Sequence, residues 1–157
     1  CESGVQRVLD KVINKRLPAD TIYPSIENAK KAGMLCHTFW ILGFPGETYE
    51  EIQATIDFAM NSGADSFSFG ILCPLPGTSI YRKAMKENLW WDNKSIDNLD
   101  LRSSLLKVDG FNGSEEFEKF VNDVNIKANL LLKEKDPKRF KLKHGDNEDY
   151  NFSPHLN

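Results

Sequence analysis

At 157 residues the chain has the length of one domain, or of a domain with an appendage. Its composition is that of an ordinary globular protein, and a net charge of −3 points away from nucleic acid and from membrane surfaces. No apolar run is long enough for a membrane span and no basic-then-apolar leader is recognisable; with three widely spaced cysteines (Cys1, Cys36 and Cys73) that suit reduced thiols, a cytoplasmic location is expected.

Taken in order, Cys1-Glu2-Ser3-Gly4 reads as the end of a strand and its turn. Val5, Val8, Leu9, Val12 and Ile13 then share one helical face, and Asn14-Lys15-Arg16 with Pro18 ends that helix. Asp20 or Thr21 is placed to cap the next helix, which tolerates Pro24 in its first turn and stops at Gly33. From Leu35 a strand is predicted to Leu42, and the almost wholly apolar run from Cys36 is that of a parallel strand covered on both faces. It drives into Gly43-Phe44-Pro45-Gly46, where two glycines let the backbone turn and approach a ligand. Thr48 and Glu51 form a capping-box pattern, so a helix opens with its amides aimed back at the turn, carrying Ile52, Ile56, Ala59 and Met60 inward and stopping at Gly63.

The pattern then recurs. Phe67, Phe69, Ile71 and Leu72 mark a second strand over 66–73, Cys73-Pro74-Leu75-Pro76-Gly77 a second turn, and Thr78 the cap of a helix running to about Asn88. Two βα units in the same phase predict parallel strands with their ligand-facing loops side by side. From Leu89 the Asp-, Asn- and Ser-rich stretch beginning at Trp90-Trp91 reads as a linker with one aromatic anchor. Ser114 opens a long helix striped by Phe117, Phe120, Val121, Val124, Ala128 and Leu131, and Lys133 to Lys143 holds six basic residues against two acidic ones. A docked helix with a loose tail, or a partner-binding surface, would account for this end. The expected architecture is α/β: a partial TIM-like (β/α) barrel piece over residues 1–88, then a helical extension over 89–157.

Three blocks fall in the order and spacing of one family: Glu2-Ser3-Gly4 with Val8-Leu9 and Asn14-Lys15; Ile41-Leu42-Gly43-Phe44-Pro45-Gly46-Glu47-Thr48; and Pro74-Leu75-Pro76-Gly77-Thr78 with Tyr81. Residues 1–88 resemble the carboxyl-side half of a radical S-adenosylmethionine (radical SAM) domain, nearest in kind to members that carry a cobalamin-binding domain and to methylthiotransferase-like enzymes. The resemblance implies a partial (β/α) barrel and an iron–sulfur enzyme. Its intact form reduces S-adenosylmethionine at a [4Fe–4S] cluster to a 5′-deoxyadenosyl radical, with cobalamin as a further candidate cofactor. It also implies cofactor-binding roles. Glu2 and Ser3 would lie near the ribose or amino-acid end, Lys15 would pair with the carboxylate, and the Gly43–Gly46–Thr48 turn would border the adenosyl group. Leu72, Cys73 and Pro74 would offer backbone and apolar surface to the adenine. Each residue type suits its role, since carboxylates accept from hydroxyls and ammonium pairs with carboxylate.

Two departures stand out. Val5 replaces a serine common in relatives, and the family's Cys-x-x-x-Cys-x-x-Cys loop is absent. Three thiolates must converge to hold the cluster, so no metal ligand or catalytic residue is assigned, and the chain reads as a fragment whose partner would be the missing amino-terminal half of the barrel. Half a barrel exposes strand edges and an apolar wall, so self-association is expected unless the tail folds over them. Two other readings stand beside this one. The first is a TIM-type barrel piece that binds phosphate or nucleotide at the same loops, which calls for a Gly-rich nest of amides. The second is a non-catalytic barrel-half scaffold. Bland roles are expected for several single residues: a hydrogen-bonded core position for His37, a packed thiol for Cys73, and for Glu47 a favourable charge at a helix N-terminus.

Overall fold

A computed structural model of the chain describes residues 1–92, 94–95, 97 and 102–144; the polar tail and part of the expected linker lie outside them. After a π-helical turn (Val8–Ile13) and a 3₁₀ turn (Ala19–Thr21) come α1 (Ile22–Lys31), β1 (His37–Leu42), α2 (Tyr49–Met60), β2 (Ser66–Ile71), α3 (Ser79–Glu87), α4 (Ser114–Lys135) and α5 (Pro137–His144).

β1 and β2 form a two-stranded parallel sheet, in register from His37 opposite Ser66 to Leu42 opposite Ile71. Parallel neighbours need a crossover, and α2 supplies it. The ladder continues one step past the strands, where the Leu72 amide donates to the Leu42 carbonyl at 3.0 Å. Along the other edge of β1, Ile41 donates to the Glu2 carbonyl at 3.0 Å, which places the opening segment beside β1, as the strand-end reading of Cys1–Gly4 expects.

The expected coverage of both faces of β1 is corrected: burial alternates, with Thr38, Trp40 and Leu42 buried and Phe39 58% exposed. The reason is that α1, α2 and α4 pack on the Trp40 side of the sheet, while on the other side only Ile41, near the carboxyl end, is partly covered, by the cluster that holds Val8 and Ala84. Trp40, Leu42, Phe67 and Phe69 share a core with Ile22 and Ile26 of α1, Ile52, Ile56 and Ala59 of α2, and Phe117, Val121, Val124 and Ala128 of α4. β1 also starts later than the apolar run, for Leu35 is 74% exposed. The cap expected at the start of α1 is replaced by a tighter turn, in which the Thr21 hydroxyl donates back to the Pro18 carbonyl at 2.6 Å.

The stretch expected as a linker is built into the fold. Trp90 and Leu106 form an antiparallel bridge, Lys107 donates to the Leu89 carbonyl at 2.7 Å, and Leu105, Leu106 and Val108 are buried. Together with the α4 stripe, this carries the core across residue 88. The edge of β2 is met by a side chain: Asn125 accepts from the Phe69 amide at 2.9 Å and donates to the Phe69 carbonyl at 2.8 Å. At the amino ends of the strands, Arg139 of α5 lies 3.6 Å from Asp65, which also pairs with Lys30 at 3.5 Å.

Candidate functional site

Parallel, in-register strands put the turns after β1 and after β2 at the same end of the sheet. Both turns have the predicted chemistry. Gly43, Gly46 and Gly77 take positive φ values of 88°, 85° and 87°, which residues with a Cβ adopt at a cost. Thr48 caps α2 in a complete capping box: its hydroxyl accepts from the Glu51 amide at 3.3 Å, while Glu51 accepts from the Thr48 amide at 3.0 Å. Thr78 caps α3 through the Tyr81 amide at 3.1 Å. The two turns are joined by packing, with Phe44, Leu72 and Ala84 in one cluster and Lys83 reaching the Pro45 carbonyl at 3.5 Å.

The residues assigned to the cofactor divide into two kinds. Glu2 and Lys15 are brought together, the ammonium 3.0 Å from one carboxylate oxygen, with both side chains about one-third exposed. The second Glu2 oxygen is buried without a hydrogen-bond partner in the protein, which suits a residue that receives a donor from a ligand. Ser3, by contrast, is fully buried, its hydroxyl 3.0 Å from that of Thr55 and accepting from the Val5 amide at 3.1 Å. It ties the opening segment to α2 rather than facing a ligand. Leu72 and Pro74 are buried and Cys73 is half-buried. The Cys73 carbonyl accepts from the Leu75 amide at 3.0 Å, so that part of the edge is taken up by its own turn.

One acid was misread from the sequence. Glu47 is only 1% exposed; instead of standing at the surface of the helix N-terminus, it folds back under its own turn. One carboxylate oxygen accepts from the amides of Gly43 at 2.9 Å and Phe44 at 3.1 Å, and the other is buried without a partner. Burial pushes its carboxyl up to about 7, against the pull of those two amides. The available signal was its spacing: an acid three and four residues beyond two amides in a glycine turn can reach both. Arg7 braces the same turn from outside, donating to the Gly46 carbonyl at 2.7 Å and pairing with Glu51, whose carboxyl it holds below its ordinary range. His37 is likewise corrected: it stands exposed on the open face of the sheet, with its ring nitrogens 2.8 Å from the Ser66 hydroxyl and 3.3 Å from the Ser68 hydroxyl.

The described residues do not fit an iron–sulfur cluster. Among the described residues no three His, Cys, Asp or Glu side chains gather to hold a metal, and the cysteines form no disulfide. A groove of about 560 Å³ lined by Tyr23, Ile26, Lys30 and Gly63 lies at the opposite end, beside the carboxyl ends of α1 and α2. Among the described residues no helix is long and apolar enough to cross a membrane.

No family model matches the chain. It is 32% identical over 136 residues to a cytidylyl-2-hydroxyethylphosphonate methyltransferase of Streptomyces wedmorensis, covering 80% of this chain and 26% of that protein. It is 38% identical over 88 residues to an uncharacterized methyltransferase of Pyrococcus horikoshii, covering 56% of this chain and 19% of that protein. With a tRNA-2-methylthio-N(6)-dimethylallyladenosine synthase of Paracoccus denitrificans it shares 36% identity over 86 residues, 52% of this chain and 19% of that one. The chain thus spans about a quarter of the first relative and about a fifth of the other two. Covering four-fifths of the chain, the first likeness necessarily runs past residue 88. Two methyltransferases and a methylthiolating synthase support the radical SAM resemblance drawn from the three sequence blocks.

Proposed function

We propose that the chain forms the cofactor-facing rim of a radical SAM enzyme that transfers methyl or methylthio groups. The carrying observation is the in-register parallel pair, which sets the Gly43–Thr48 and Cys73–Thr78 turns on one end of the sheet, with the Glu2 segment along the other edge of β1. In this reading Glu2 accepts from a ribose hydroxyl through its unpartnered oxygen, with Lys15 holding the carboxylate in place. The Gly43–Thr48 turn borders the nucleoside, and Leu72 to Pro74 form the wall behind the adenine. S-adenosylmethionine would supply the methyl group and the adenosyl radical, while the electron that reduces it and any sulfur transferred with the methyl would come from the parent enzyme; these residues bind and orient the cofactor. The rest of the barrel, its iron–sulfur cluster and any cobalamin belong to the parent enzyme in this reading.

Glu47 favours this reading over a phosphate-binding barrel. A phosphate loop offers free backbone amides to its anion, whereas the Gly43 and Phe44 amides already hold a carboxylate.

The test is a titration of S-adenosylmethionine into the ¹⁵N-labelled chain, followed by amide chemical shifts. Two or three hydrogen bonds of about 1 kcal/mol each oppose an immobilisation cost of at least about 4 kcal/mol, so the expected affinity is millimolar or weaker. The shifts should be confined to Glu2, the non-proline residues of Gly43–Thr48, and Leu72 and Cys73, and should be lost in Glu2→Ala. Perturbation centred on Tyr23, Lys30 and Gly63 instead, or equal response in Glu2→Ala, would reject the assignment.

A further inference from the structure

A glycine turn running into a helix N-terminus has the makings of an anion site: amides in a tight bend, plus the positive end of a helix dipole. In this protein that site is filled from within. The Glu47 side chain is 1% exposed, one of its oxygens takes both the Gly43 and the Phe44 amide, and its other oxygen is buried with no partner. The turn is then held from three sides. Arg7 donates to the Gly46 carbonyl, Lys83 lies 3.5 Å from the Pro45 carbonyl, and Glu51 closes the capping box on Thr48.

We propose that Glu47 fills the turn's anion site from within: its carboxyl group occupies the Gly43–Phe44 amide pair, sets the shape of the loop and bars phosphate from it, so that the loop accepts the uncharged part of a nucleoside and rejects phosphorylated ligands there. The inference rests on the proposed function only in calling the loop ligand-facing. Glu47 is a positioning and specificity residue that acts through the backbone it holds.

Two observations support an occupant rather than a mere helix-end charge. A surface acid favoured by the dipole would keep its carboxylate in water, yet this one is withdrawn from it. Burial lifts its carboxyl to about 7, so keeping the acid inside carries an energetic penalty that the two amides only partly offset. The charged side chains acting on it are Arg7 from the π-helical segment and Glu51 from α2, and they oppose each other.

The experiment compares the 157-residue chain with Glu47→Ala and Glu47→Gln. Truncation to alanine leaves two buried amides facing a carboxylate-sized space, and Tm should fall by roughly 5–15 °C. Acetate or formate should refill that space and return a saturable part of the loss, while leaving the parent chain and Glu47→Gln unmoved. Inorganic phosphate should shift the Gly43 and Phe44 amide resonances in Glu47→Ala and in neither of the others. Equal stabilisation of all three proteins by the anions, or phosphate shifting those amides in the parent chain, would overturn the proposal. Should Glu47→Ala fail to fold, the parent and Glu47→Gln decide it. The two amides should titrate together in the parent with a midpoint near neutrality and stay flat in Glu47→Gln, and a titration that persists in Glu47→Gln would overturn it. These readouts need no S-adenosylmethionine, so failure of the cofactor titration leaves them standing, and their failure leaves the cofactor assignment standing.

Discussion

Asn125 of α4 pairs with Phe69 of β2 as a neighbouring strand would, its amide oxygen taking the Phe69 N–H and its amide nitrogen donating to the Phe69 carbonyl. A third bond, from the same nitrogen to the Val121 carbonyl at 3.0 Å, fixes the side chain against its own helix. Unpaired strand edges recruit other chains, so this one side chain blunts an edge that would otherwise be available. Asn125→Leu keeps the branched shape, though with a bulkier side chain, and removes all three bonds. It should cost about 1–3 kcal/mol, the price of leaving buried backbone groups unmet, read from urea midpoints. It should also raise the dimer fraction in sedimentation velocity; a variant that stays as monomeric as its parent would show that the edge is closed by something else.

Gly43 and Gly46 make a matched pair for separating backbone strain from crowding. Both have φ near +85°, but a Cβ on Gly43 would lie 2.9 Å from the Phe117 ring while one on Gly46 would meet nothing within 4 Å. Gly46→Ala should therefore cost only the left-handed strain, about 1–2 kcal/mol. Gly43→Ala adds a clash with the centre of the α4 core and should cost about 2–5 kcal/mol, with faster amide exchange along α4. Equal losses for the two would place the crowding elsewhere.

Residues whose structure is decided by near neighbours were the legible ones. Thr48 with Glu51, Thr78 with Tyr81, and the positive-φ glycines are local chemistry, and the two βα units followed from them. The α4 stripe was legible because helical periodicity does not depend on the partner. What failed depended on distant coverage. Phe39 and His37 look like core residues in an apolar run, but α1, α2 and α4 lie on the other face. Ser3 carries the right identity for a ligand contact, yet Thr55, fifty-two positions on, takes its hydroxyl. Glu47 was misread for a different reason: helix-end electrostatics and a turn-filling carboxylate demand the same residue, and only burial separates them.

Glu47 also gives a pH signature. With its carboxyl lifted to about 7 in the fold against 4.5 ordinarily, the folded state holds the proton that the unfolded state has lost between those values. Stability contributed by this group is therefore complete below about pH 4.5 and falls away as pH rises through about 7. Glu47→Gln cannot titrate, so its stability relative to the parent should improve on going from about pH 5 to about pH 8, by about 1–3 kcal/mol. Denaturant melts at the two pH values measure this difference. A constant offset between the proteins would mean that Glu47 does not titrate in this range.

The cysteines yield the last prediction. Cys36 precedes the amino end of β1 and Cys73 follows the carboxyl end of β2, and because the strands are parallel and in register these are opposite ends of the sheet. Six residues of strand separate those ends by roughly 20 Å. Cys1 begins the segment whose Glu2 carbonyl meets Ile41, near the carboxyl end of β1. Three thiolates so placed cannot converge on one cluster, and no other gathering of ligands exists among the described residues. Anaerobic incubation of the chain with iron and sulfide should therefore give no stable charge-transfer absorbance after desalting, and Cys36→Ser or Cys73→Ser should leave that result unchanged. A cluster that survives desalting on these 157 residues and is lost in either serine variant would mean that the cysteines are ligands, and that a second chain or a large rearrangement brings them together.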